Sequence, residues 1–189
     1  MRFGANTRRI QNFSMDPIEY LLFIPLLMYG IVLTHLFGEW KRFFDFDNWH
    51  GPYIVTIVVF TEVAVWNIYT FLDVISREES HSYLSYLGLL AAPFLFMLSV
   101  NALLDGERRG GLVDREEFRS RMRLSYFFMG CFVALHFVPL FSSDDGLNRP
   151  RVAAAGILFL VAWLNQERLV YLLGVVWLAT LVVRVQASV

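Results

Sequence analysis

The sequence is poor in the residues that stabilise small secreted domains or build common catalytic sites. It has one cysteine, Cys131, so no intrachain disulfide can form and the redox compartment stays unassigned. A lone cysteine inside an apolar run is most often a small core residue. Zinc-ligand spacing, phosphate loops, serine or cysteine nucleophile motifs and haem-type histidine pairs are missing from the sequence. We therefore predict no cofactor and no metal, and an enzyme is the least favoured function.

Charge is also scarce. Charged residues make up 17% of the 189 residues, against about a quarter in a typical soluble domain, and the formal net charge is −1. There is no basic face and no RNA-binding signature, so nucleic acid is not a predicted partner. Apolar residues are abundant instead, at 57%, with a mean hydropathy of +0.51. The charges lie in short clusters between long apolar runs, which is typical of a chain whose runs are solvated by lipid.

Six apolar segments predict an all-α, polytopic membrane bundle with the lipid bilayer as its first partner. The first four approach the roughly 20 residues that cross the hydrocarbon region. The last two are short, and flanking arginines that reach the interfaces would allow them to span. The alternative is four spans followed by a C-terminal re-entrant hairpin buried against protein. The predicted spans are 18–37, 53–74, 83–104, 124–141, 152–164 and 169–183.

The segments outside the spans are short and polar. Residues 1–17 precede the first span, and Met15 is an alternative start to Met1. No secretory signal peptide is predicted. Residues 186–189 form a short tail. The linker 105–123 contains six arginines, and its part after Asp114 is predicted to be helical. With both termini outside, nine Lys and Arg residues face the cytoplasm and seven face outward. With a start at Met15, nine Lys and Arg residues face the cytoplasm and four face outward. We therefore expect both termini outside and linker 105–123 in the cytoplasm.

Glu62 is the most unusual residue because it lies near the middle of the second predicted span, where a carboxylate is costly. On a helix it shares a face with Trp66, Tyr69 and Asp73, and we expect this face to point into the bundle. Three interpretations compete. The carboxyl is a hydrogen-bonded link between helices, a proton or cation site, or the partner of a histidine. The structural link is the most favoured interpretation.

Two histidines lie inside predicted spans, His35 and His136. By helical rise they lie roughly 5 Å and 18 Å from the inner boundary, which is too different a depth for one metal site. Glu62 lies between them, at roughly 12–14 Å. The three residues are therefore candidates for a discontinuous polar ladder, with Asn101 and Asn67 as hydrogen-bonding support. Such ladders occur in proton-coupled transporters.

A small-residue stripe on the first span, formed by Gly30, Thr34 and Gly38, predicts close helix packing. Three functions follow from these features. The leading hypothesis is an accessory or oligomeric membrane subunit that acts through helix packing, with a homo-oligomer or another membrane protein as partner. The alternative is a small proton- or cation-coupled transporter or channel that uses Glu62. The third is an intramembrane metal-dependent enzyme.

Overall fold

The described part of the chain is entirely helical. A computed structural model describes residues 17–44, 50–76, 83–104, 115–137 and 148–187, and the side chains of 23–41, 43–44, 50–71, 86–104, 115–137 and 149–183. The predicted all-α class is confirmed. The elements are α1 (Pro17–Glu39), a 3₁₀ turn (Trp40–Phe44), α2 (Gly51–Ser76), α3 (Tyr83–Leu104), α4 (Arg115–Leu135), α5 (Asn148–Leu164) and α6 (Arg168–Ala187).

The helix boundaries differ from the predicted spans mainly in α4, α5 and α6. Helix α4 begins at Arg115, and Arg121 pairs with Glu117 one turn away, so the helical prediction for this part of the linker is confirmed. Helix α4 ends at Leu135, and His136 and Phe137 follow in a tighter turn in which their N–H groups donate to the Val133 and Ala134 carbonyls. Helices α5 and α6 have 17 and 20 residues, which is four and five more than their apolar runs.

The tight turn between α5 and α6 depends on Asn165. Its φ of 52° is left-handed, which asparagine tolerates better than most residues, and its N–H donates to the Val161 carbonyl at 2.9 Å. Arg119 of α4 donates from Nε to the Asn165 carbonyl at 3.1 Å, which ties the turn to the neighbouring helix. This turn places Glu167 beside the start of α4. We call this end of the molecule the Glu167 end, and the other the opposite end.

The six helices pack as a closed ring of neighbours. Helix α1 packs on α2 and α3, α3 on α4, α4 on α5, α5 on α6, and α6 returns to α2. The N-terminal half of α2 is almost fully buried, and its Phe60 ring contacts Phe96 of α3 and Tyr126 of α4. Phe96 continues the aromatic core to Tyr29 of α1 and Phe132 of α4. The N-terminal half of α2 is therefore part of a core that it shares with α1, α3 and α4.

Hydrogen bonds between helices accompany the aromatic core. The Tyr53 hydroxyl donates to Glu39 Oε2 at 2.7 Å, and Glu39 is only 1% exposed. Thr56 donates to the Pro52 carbonyl, so the Tyr126 hydroxyl is the donor in the 2.5 Å contact between these two side chains. Two further bonds join elements in the same way: Trp40 Nε1 donates to Thr61 Oγ1 at 3.2 Å, and Ser99 Oγ donates to the Ser125 carbonyl at 2.8 Å.

The outer surface carries large apolar side chains on all six helices, among them Ile31, Val65, Phe94, Phe127, Phe159 and Leu178. Two of the described helices contain a stretch that is long and apolar enough to cross a membrane, Gly51–Phe71 in α2 and Tyr86–Leu104 in α3. Shorter apolar stretches lie in α1 and α6, over Phe23–Glu39 and Arg168–Val183.

A glycine permits the close approach of α6 to α2, and this contact is testable. A Cβ at Gly174 would lie 2.9 Å from Val55 Cγ1, and Val55 is a stiff, β-branched side chain packed against the core. At Gly156 of α5, a Cβ meets no described atom within 4 Å. Replacing either glycine by alanine raises the helix propensity by a similar amount. The difference in stability between the two variants therefore reports the clash with Val55. We expect Gly174→Ala to be less stable than Gly156→Ala by about 1 to 3 kcal/mol in parallel thermal unfolding. Equal stabilities would contradict this packing.

Candidate functional site

A cavity of about 100 Å³ lies between α2, α4, α5 and α6, towards the opposite end of the bundle. Most of its wall is apolar, and it has enough volume for several water molecules or a small ring. A few polar groups face it from three of the helices and from the turn after α4. A largely apolar wall with a few converging polar groups is the usual character of a small-molecule site. The polar lining residues are Trp66, Asn67, His136, Arg151, Trp177 and Thr180.

Glu62 lies one hydrogen bond away from this cavity. Its side chain is partly buried, and Trp177 of α6 donates from Nε1 to Glu62 Oε2 at 2.7 Å. Because Trp177 lines the cavity, its indole connects the carboxyl to the cavity wall. The bond joins α2 to α6 across 115 residues of sequence. This geometry fits the interpretation of Glu62 as a link between helices.

Asn67 and His136 lie together at the cavity, as lining residues from α2 and from the turn that follows α4. Asn67 donates from Nδ2 to the Val63 carbonyl at 2.7 Å. His136 Nδ1 lies 3.2 Å from the Phe132 carbonyl, and the imidazole stands edge-on to the Phe132 ring. Three of the six polar candidates, Glu62, Asn67 and His136, are therefore gathered around one cavity.

His35 and Asn101 lie elsewhere. Both line a surface cleft between α1 and α3 near the Glu167 end, and His35 is exposed. This cleft shares no lining residue with the cavity near Glu62, and the aromatic core occupies the middle of the bundle. The described residues thus divide the predicted polar ladder into two separate groups, one at the cavity and one at the cleft.

The face of α2 that contains Glu62 does not point uniformly into the bundle. Trp66 lines the cavity, but Tyr69 is 74% exposed, so the expectation of an inward face is wrong at that position. The physical reason is that neighbouring helices surround α2 near its start and leave its C-terminal half partly uncovered. The side chain of Asp73 lies outside the described residues.

The small-residue stripe of α1 faces outward. Gly30, Thr34 and Gly38 are all exposed, and a Cβ at either glycine would meet no described atom within 4 Å. Thr34 donates to the Gly30 carbonyl of its own helix at 2.9 Å. Close packing on this stripe is therefore not seen among the described residues.

Two polar groups at the Glu167 end were not singled out from the sequence. Glu39 is more deeply buried than Glu62, although it lies at the end of its helix. The single Nε–H of Arg115 is shared between the two carboxylate oxygens of Glu167, with Nε 3.0 and 3.2 Å from them, and Glu167 Oε2 lies 3.5 Å from His50 Nε2. Their partners lie on other helices, Tyr53 of α2 for Glu39 and Arg115 of α4 for Glu167, so no local spacing could have revealed them.

No group of three or more His, Cys, Asp or Glu side chains is arranged to hold a metal within the part of the chain that the structure describes. No family model matches the chain, and no curated protein or solved structure matches it either. The side chains themselves are therefore the basis for any functional interpretation.

The bond between Glu62 and Trp177 predicts an unequal effect of two substitutions. Trp177→Phe removes the indole donor and leaves the carboxyl without it, which should lower stability by about 1 kcal/mol. Glu62→Gln keeps an oxygen that accepts from Trp177, so we expect a smaller loss. Thermal unfolding of both variants beside the parent chain measures the difference. The reverse order would show that the bond does not stabilise the packing of α2 on α6.

Proposed function

We propose that this chain is an integral membrane protein of six spans that acts as an accessory or oligomeric membrane subunit through helix packing. The first support is its outer surface, which would be unfavourable in water. Large exposed apolar side chains occur on every helix and surround the bundle. A water-soluble monomer rarely exposes contiguous apolar patches larger than a few hundred Å², whereas lipid solvates such a surface without penalty.

The distribution of charge supports the same proposal. The exposed Lys, Arg and Glu side chains in the described residues all lie at helix ends or within the first nine residues of α4. Outside α4, the middle of each helix exposes no such charge, and in α4 the exposed charges stop at Arg123, the ninth of 21 residues. An apolar band between charged ends is expected when the ends reach the headgroup regions. The exposed charged residues are Lys41, Arg115, Glu116, Arg119, Arg123, Arg149 and Arg168.

The lengths of α5 and α6 favour two further spans over a re-entrant hairpin. Their 17 and 20 residues correspond to about 25 and 30 Å of helix, close to the thickness of the hydrocarbon region. Their connecting turn lies beside Arg115 at the start of α4, while Pro150 and His136 both line the cavity near the other end of α4. Helix α5, which packs on α4, thus follows the length of α4, and α6 returns along α5. Both termini would lie on the outer side, with linker 105–123 in the cytoplasm.

The single observation that supports the packing role is that the buried polar side chains form hydrogen bonds between elements of the bundle. The five buried Glu, Thr and Ser side chains in the described residues all bond to another element of the bundle. They therefore hold helices together and do not line a continuous polar path. The exposed stripe of α1 adds a surface on which a second membrane helix, from another copy or another protein, can approach closely.

Cysteine cross-linking in native membranes tests this role. In a Cys131→Ala background, Gly38→Cys places a thiol on the α1 stripe, and we expect oxidation to give a cross-linked product of higher mass. Gly156→Cys is the matched control because its Cβ is equally open but lies on α5. A product with Gly38→Cys and none with Gly156→Cys supports packing through α1. Equal yields, or none at either position, would contradict it.

A second candidate function is transport of protons or cations through Glu62. The observation in its favour is the cavity, which gathers Asn67 and His136 around the Trp177 indole that contacts Glu62. Against it stands the separation of His35 and Asn101 from this cavity. An intramembrane metal-dependent enzyme, the third hypothesis, has no supporting observation in the described residues.

Flux across liposomes separates the two roles with the same pair of variants. If Glu62 carries the proton or cation, Glu62→Gln abolishes the flux while Trp177→Phe, which keeps the carboxyl, retains most of it. If Glu62 only links helices, we expect no specific flux in the parent chain, and both variants match it. Flux that is lost in Glu62→Gln, with unchanged thermal stability, would overturn the packing role as the main function.

A further inference from the structure

A surface groove of about 700 Å³ runs between α4 and α5, on the outside of the bundle. Leu124 and Phe127 form its α4 side, and Phe159 and Leu160 form much of its α5 side. The rings of Phe127 and Phe159 pack edge to face at 6.0 Å. The groove stays open because Gly156 has no side chain, and a Cβ there would meet no described atom within 4 Å. An apolar chain can therefore lie against both helices.

One end of the groove is cationic. Arg123 is exposed, lines the groove, and forms no ion pair or hydrogen bond with any residue that the structure describes. One turn before it, Arg119 faces the Asn165 carbonyl, and the nearby Glu167 carboxylate already accepts from Arg115. The net charge of these side chains at this end of the groove is therefore positive.

The depth of Arg123 matches a lipid headgroup. It directly precedes the apolar part of α4, and Trp163, which also lines the groove, is 75% exposed. Tryptophan is enriched where a membrane meets water, and the long side chain of an arginine extends towards that interface from a backbone position within the apolar region. The same end of the groove thus presents an interfacial ring and an unpaired cation.

We propose that this groove binds an anionic glycerophospholipid, with its phosphate at Arg123 and one acyl chain along Leu124, Phe127 and Phe159. A second protein helix would have to supply a carboxylate to Arg123, because covering the guanidinium without a compensating charge is costly. A lipid phosphate neutralises the guanidinium and presents acceptor oxygens to it. This inference rests on the proposed membrane location.

Native mass spectrometry of the detergent-solubilised full chain tests the inference, with equal amounts of phosphatidylglycerol and phosphatidylcholine added. We expect the parent chain to retain the anionic lipid preferentially, by about fivefold for one arginine at a lipid surface. Arg123→Gln should remove this preference. Arg149→Gln, which removes an exposed arginine at the opposite end, is the matched control and should keep it. Free phosphate added in excess should not displace the lipid, because the acyl chain contributes to binding.

Filling the groove gives an independent test. Gly156→Leu places a side chain where the acyl chain would lie, and we expect it to lower retention of both lipids, while Gly156→Ala keeps most of it. Circular dichroism checks that the variants remain helical, and if Gly156→Leu does not fold, Arg123→Gln decides alone. Equal retention of the two lipids by the parent chain, or an unchanged preference in Arg123→Gln, would overturn the inference. A chain that is recovered in the soluble fraction without detergent would instead overturn the proposed membrane location.

Discussion

The requirement that a buried polar group must find a partner determines much of this bundle. The Glu39 carboxylate is almost completely buried at the end of α1, and the Tyr53 hydroxyl from α2 reaches it at 2.7 Å. An unpaired carboxylate in the same place would be far more costly than the bond is favourable. The same requirement applies along α2, where Thr56 meets Tyr126 of α4 and Glu62 meets Trp177 of α6. These contacts select which helices surround α2, and the aromatic core fills the space between them.

The inside and the outside of the bundle therefore differ in character. Inside, the buried Glu, Thr and Ser side chains join helices, and several polar groups converge at the cavity near Trp177 without filling the space. Outside, large apolar side chains remain exposed on all six helices of the described chain. Lipid solvates such a surface, and the open stripe of α1 and the groove beside Arg123 are then the two places where the outer surface departs from a plain apolar band.

The sequence predicts the helices well and their partners poorly. Long apolar runs identify all six helices. The run in α5 begins four residues after the helix does, and the run in α6 ends four residues before the helix does, because the polar first turn of α5 and the polar last turn of α6 do not raise the hydropathy. Glu62 was found because a carboxylate inside an apolar run is costly. Its partner Trp177 is 115 residues away, a distance at which spacing carries no information. Tyr69 shows the same limit, since helical periodicity places it on the Glu62 face but cannot say where the neighbouring helices end.

The central claim is that the exposed faces of all six helices contact lipid, and spin labels on cysteines test it most directly. With Cys131 replaced by alanine, single labels are placed at Phe94 of α3, Phe159 of α5 and Leu178 of α6, which are exposed and near the middle of their helices. In reconstituted vesicles, we expect each label to collide often with oxygen, which concentrates in lipid, and rarely with a water-soluble nickel complex. Frequent collisions with the nickel complex at Phe159 and Leu178 would contradict six spans, and the same result at all three positions would contradict a membrane location.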